Sequence, residues 1–152
     1  MEYGTERVRY PGQYGSREHY NRIVFICSPY RPEAEEPEEK ADELLRNIHL
    51  ARLGCKTAVR RGCTPIAPHL IFPQFLKDEK PEDREAGMKM GVQLLLLCDE
   101  VWVLGRRISE GMGNEIAIAT EEGIPIFILE NPASSEERLL KAIFGAKAHD
   151  EG

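Results

Sequence analysis

A chain of 152 residues is long enough for one domain with a real core, and 41% hydrophobic against 30% charged residues is an ordinary balance for a globular fold. The formal net charge of −6 argues against a nucleic-acid polymer as partner, since such a partner calls for a basic patch. No apolar run approaches the ~20 residues of a membrane span and the first residues lack a signal-peptide core, so no membrane partner and a cytoplasmic location are expected.

Residues 1–21 mix Gly, Arg and Tyr without apolar periodicity and read as a flexible arm, or as a tail that docks on a neighbouring subunit. Residues 23–27 (IVFIC) form a β-branched and aromatic run suited to a buried parallel strand. The turn behind it, Ser28-Pro29-Tyr30-Arg31, falls at the strand's carboxyl end, the ligand-binding edge of open α/β sheets. Ser28 can close the turn, while Tyr30 and Arg31 are suited to stacking on a base and pairing with an anion.

After an acidic, proline-punctuated loop, a helix is expected over 38–61. Ala41, Leu44, Leu45, Ile48, Ala51, Cys55 and Ala58 would form its buried stripe, with Asn47 off the stripe, at the surface or else facing the pocket. Gly62 stops it. A short strand over 64–67 leads to an apolar loop, 68–73, at the same edge as Ser28. His69 in that loop either touches a ligand or bonds a backbone group. Cys55, Cys63 and His69 match no zinc spacing, and no metal or cofactor is expected. All four cysteines fall in or beside core elements and are expected to be reduced.

Pro81 is placed to open a helix that runs to about Leu97, apolar all round in its last turns and so expected beneath the sheet. Asp99 ends it and a strand follows over 101–104. The chain breaks at Gly105, passes a polar turn carrying Ser109, Gly111 and Gly113, and re-enters a helical pattern at Glu115-Ile116. Strand, glycine turn and helix together aim backbone N–H groups and a positive dipole end into one crevice. Glu115 is expected in the first turn or so of that helix, with its carboxylate held ionised. A further buried strand over 124–129, a short helix over 136–144 and a polar tail complete the chain. Strands alternating with helices predict a single three-layer Rossmann/flavodoxin-like, doubly wound parallel α/β sheet over 22–146, with an arm before it and a tail (147–152) after it.

The turn Ser109-Glu110-Gly111-Met112-Gly113-Asn114-Glu115, behind Asp99-Glu100-Val101-Trp102-Val103, resembles the nucleophile segment of the nucleoside 2-deoxyribosyltransferase superfamily. It is similar in particular to the S-x-G-x-G-x-E arrangement of the 2′-deoxynucleoside 5′-phosphate N-hydrolases and their bacterial and phage relatives. The likeness runs from about Ile23 to Leu129 and includes Asn47, Ala58, Gly62, Pro65-Ile66-Ala67-Pro68-His69 and Pro73.

The resemblance implies that Glu115 attacks C1′ of a deoxyribosyl group to give a glycosyl-enzyme ester. It implies that Ser109 stands where transferases carry an aspartate, and so tolerates a 5′-phosphate. Gly111 and Gly113, with Met112 between them, would bring the backbone close to the ligand, their N–H groups free for phosphate. Ser28, Tyr30, Arg31 and His69 would line the base or phosphate end. One departure is Gly91, where relatives carry a further catalytic aspartate.

The expected function is therefore an N-glycosidase acting on a small-molecule nucleotide or nucleoside. The alternatives are deoxyribosyl transfer and non-catalytic nucleotide sensing. In a purely structural reading Glu115 is a favourable helix acid and Ser109 a cap. Relatives complete their pocket from a neighbouring subunit, so a homodimer or higher homo-oligomer is expected, with 131–135 as a contributing loop.

Overall fold

The computed structural model describes residues 20–129. Residues 1–19 of the expected arm (1–21), the loop over 131–135, the helix over 136–144 and the polar tail lie outside the described residues. Within them the order is β1 (Arg22–Cys27), α1 (Pro37–Arg60), β2 (Cys63–Ile66), α2 (Pro68–Ile71) with a 3₁₀ turn (Phe72–Gln74), α3 (Pro81–Leu96), β3 (Glu100–Val103), α4 (Glu110–Glu121) and β4 (Ile126–Ile128).

The strands form one parallel sheet in the order β2-β1-β3-β4, as the alternation of elements predicts. Side chains alternate across β1. Val24 and Ile26 join Ala58 of α1, Trp102 and Leu104 on one face. Phe25 and Cys27 join Leu95 of α3 and Met112 and Ala119 of α4 on the other. Helices thus cover both faces, the doubly wound arrangement in which a sheet reverses its strand order beside β1.

Local chemistry sets the boundaries. Glu36 caps α1 by accepting from the amides of Glu38 (3.4 Å) and Glu39 (3.2 Å), with Pro37 at the first helical position. Gly62, at φ 76°, turns the chain out of the helix. At the same, amino-terminal end of the sheet Asp99 clamps β1 to β3. Its carboxylate accepts from the Ile23 amide at 2.7 Å, and its own amide donates to the Ile23 carbonyl at 2.8 Å. Glu100 is buried beside it, satisfied by Arg22 at 2.6 Å and by the Trp102 indole N–H at 2.9 Å, while the Arg61 guanidinium lies over the Trp102 ring.

Four expectations need correcting, the first being the buried strand over 124–129, since in β4 Phe127 and Ile128 are exposed. The buried line of α1 runs through Asn47, Ala51, Gly54 and Ala58, and Leu45 is 65% exposed. Gly54 carries no hydropathy signal, yet it is the point of closest approach: a Cβ there would lie 3.1 Å from Leu104 and 3.2 Å from Ile26. Residues 68–74 are helical rather than a loop, because Pro68 and Pro73 each open a helical turn. At the end of α3 Leu95 is fully buried but Leu96 and Leu97 are about half exposed, since a helix turns only one stripe to the sheet.

Candidate active site

The carboxyl ends of β1 and β3 and the N-terminus of α4 meet at the point where the strand order reverses. Ser109 is the N-cap of α4: its Oγ accepts from the Met112 amide at 3.2 Å, and its carbonyl accepts from the Gly113 amide at 2.9 Å. The Gly113 N–H is therefore spent inside the helix, contrary to the expectation that it is free for phosphate. Among the described residues none accepts from the amides of Glu110 and Gly111. A Cβ at Gly111 or Gly113 would meet nothing within 4 Å, so both glycines leave open space on this turn. The Met112 side chain, 2% exposed, packs into the core with Cys27 and Leu95, so it supports the turn from below instead of lining it.

Counting from Glu110, Glu115 is the sixth residue of α4 and sits in its second turn, not the first. There its carboxyl meets the Cys27 thiol at the end of β1. Burial pushes Glu115 up to about 7 from an ordinary 4.5, and the hydrogen bond from Cys27 opposes the rise. This shift runs against the expectation of a carboxylate held ionised by the helix dipole, because the dipole fades beyond the first turn while loss of water does not. The Cys27 thiol is itself pushed up, first by burial and then by the charge of Glu115, and the Met112 carbonyl, 3.8 Å from its Sγ, is the second acceptor within reach of its one proton.

On the other side of β1, Ser28 is 7% exposed and its Oγ lies 2.8 Å from His69 Nε2 at the head of α2. His69 thus bonds a side-chain hydroxyl, not a backbone group. Burial pushes it down to about 4 from 6.5 and keeps the imidazole neutral near pH 7. Tyr30 packs its ring edgewise on His69, with centroids 6.2 Å apart. Burial and the nearby Asp78 raise its phenol above the usual range.

The segment after β1 is strapped down on both flanks. Arg31 pairs with Asp78 of the loop before α3. Arg107, from the turn after β3, donates to the Arg31 carbonyl at 3.1 Å and pairs with Glu33 at 3.0 Å. Asn47 Nδ2 donates to the Tyr30 carbonyl at 3.0 Å, so the residue expected at the surface faces the site from the buried line of α1. Gly105, at φ 112°, lets the β3 turn pass over Pro29, where a Cβ would come within 2.9 Å of the ring.

The structure therefore gathers Glu115, Ser109, Gly111 and Gly113 on one side of the β1 end and Ser28, Tyr30 and His69 on the other. Arg31 borders the site with its guanidinium engaged by Asp78. Sequence reasoning missed Cys27, Asp78 and Arg107, and placed Asn47 facing the pocket only as the alternative to a surface position, although its spacing of four from Ala51 points to the buried line. No group of three or more His, Cys, Asp or Glu among the described residues is placed to hold a metal ion. The four cysteines are free, and no described helix is long and apolar enough to cross a membrane.

Comparison with known proteins bears on the same region. Residues 22–129 match the family model described as "Domain of unknown function (DUF7768)". No curated protein matches the chain by sequence. Among solved structures, a 2-deoxyribosyltransferase from the psychrotolerant bacterium Bacillus psychrosaccharolyticus superposes with a TM-score of 0.52 at 16% identity, over 71% of this chain and 72% of that one. At that identity the likeness is one of fold.

Proposed function

The chain belongs to the DUF7768 family, and from its site we propose that it cleaves the N-glycosidic bond of a (deoxy)nucleoside 5′-monophosphate, with Glu115 as nucleophile. The observation that carries this reading is the half-buried Glu115 carboxyl, set beside Cys27 at the mouth of the sheet and next to an open, glycine-lined helix start. A carboxylate with little hydration is a strong nucleophile once ionised, and it needs no reorganisation of water to reach an anomeric carbon.

In the first step a Glu115 oxygen bonds to C1′ while the C1′–N bond breaks and its electron pair leaves with the base. In the second, water attacks C1′ and gives up a proton to solvent, the ester bond breaks and the carboxylate returns, so the sugar retains its anomeric configuration. The amides of Glu110 and Gly111 and the O–H of Ser109 are the donors suited to a 5′-phosphate, in keeping with anion binding at helix N-termini.

Incubation with a panel of deoxynucleoside monophosphates, with free base read by chromatography, tests the proposal. Base release is expected for at least one member and its loss in Glu115→Ala; release unchanged in that variant overturns the mechanism. Because attack on the ester by a second base is the same chemistry, adding a free acceptor base to the assay separates hydrolysis from transfer. Nucleotide-dependent thermal stabilisation without turnover would mark a sensing module instead. As the nucleophile must be ionised, the rate of base release is expected to rise with pH through about 7.

A further inference from the structure

The last residue of β1 and the one after it serve opposite sides of the site. Cys27 meets Glu115 on α4, which enters from the β3 side. Ser28 meets His69 on α2, which enters from the β2 side, and β2 and β3 flank β1 in the sheet. A displacement at C1′ needs its nucleophile and its leaving group on opposite sides of the carbon. With Glu115 attacking from the α4 side, the departing base faces Ser28 and His69.

We infer that Ser28 hydrogen-bonds the departing base through its hydroxyl proton, while His69 donates Nε2–H to Ser28 Oγ and so turns that proton outward. The inference rests on Glu115 being the nucleophile. Ser28 touches the substrate and His69 is a positioning residue acting through it. As the C1′–N bond breaks, its electron pair moves onto the base and the Ser28 O–H stabilises the charge that develops. The base leaves as a hydrogen-bonded anion and takes its proton from water, so Ser28 keeps its own. Burial keeps the His69 imidazole uncharged down to about pH 4, so in this arrangement its one N–H sits on Nε2. The Tyr30 ring against His69 and the 7% exposure of Ser28 hold the pair in one geometry.

A donor aimed at a developing charge is worth on the order of 10²-fold in rate, and the gain depends on how badly the leaving group needs it. The test measures kcat/KM for the deoxynucleoside monophosphate cleaved fastest and for 4-nitrophenyl 2-deoxyriboside 5-phosphate, whose nitrophenolate departs unaided. Ser28→Ala is expected to lose on the order of 10²-fold on the nucleotide but only about threefold on the nitrophenyl substrate. His69→Leu should follow it, and His69→Gln, which keeps an N–H donor, should recover most of the loss.

Equal losses on both substrates, or none, overturn the inference, since a merely structural pair would not distinguish leaving groups. The His69 variants decide the matter if Ser28→Ala does not fold. Glu115→Ala separates the two claims. Its loss on both substrates, with Ser28→Ala indifferent to the leaving group, overturns the donor and leaves the nucleophile standing. Unchanged cleavage in Glu115→Ala, or no cleavage of any substrate by the wild-type protein, overturns both.

Discussion

Glu115 carries a cost that can be measured without any substrate. Its folded-state pKa of about 7 lies above the ordinary 4.5, so the folded protein binds the proton more tightly than the unfolded chain. Its contribution is then fully present below about pH 4.5 and lost as pH rises through about 7. Replacing it by Gln removes that loss. Glu115→Gln is expected to be more stable than wild type at pH 8 by roughly 3 kcal/mol as an upper figure, and about equal to it at pH 4. Urea unfolding at the two pH values checks this; a destabilised variant at pH 8 would mean the carboxylate is held by partners and not merely deprived of water. None of this was legible in the chain. S-x-G-x-G-x-E marks where a carboxylate stands along a helix, but its charge depends first on burial in the fold and then on Cys27, which stands far upstream in the chain.

At the scale of elements, close approach matters more than hydrophobicity. Gly54 brings α1 onto Ile26 and Leu104, so Gly54→Val is expected to cost about 1–3 kcal/mol through overpacking, read as a lower Tm. Ser109→Ala should cost about 1 kcal/mol by uncapping α4. That loss would come whether or not Ser109 also meets substrate, so a fall in activity larger than the fall in stability is what assigns it a second role. Strand and helix order were legible because β-branched runs and three-and-four spacing survive any tertiary detail. The orientation of α1 was not. Counting apolar residues placed Leu45 inward and Asn47 outward, whereas a glycine contact and a side-chain bond to the Tyr30 carbonyl rotate the helix the other way.

Two buried titrating groups act on the whole molecule in opposite senses. His69, with a folded-state pKa of about 4 against an ordinary 6.5, gives stability that is present above pH 6.5 and lost as pH falls through about 4. Between about pH 4.5 and 6.5 this rise with pH offsets the fall from Glu115, and the wild-type profile should be nearly flat there. His69→Leu is expected to expose a stability that declines steadily from pH 4.5 to 7, and Glu115→Gln one that climbs from pH 4 to 6.5, both read by chemical unfolding at a series of pH values. Parallel curves for wild type and both variants would mean that neither group is desolvated in solution. The loop ion pairs Arg31–Asp78 and Arg107–Glu33 are exposed, so breaking either should hardly move global stability.

β1 hands Cys27 to one side of the sheet and Ser28 to the other, and so makes pairing alignment a condition of activity. A slip of a single residue between β1 and its neighbours would trade those two side chains and turn the buried row Val24-Phe25-Ile26 inside out. A misaligned chain therefore cannot keep a half-working centre. The packing that rejects the wrong alignment also guards the chemistry.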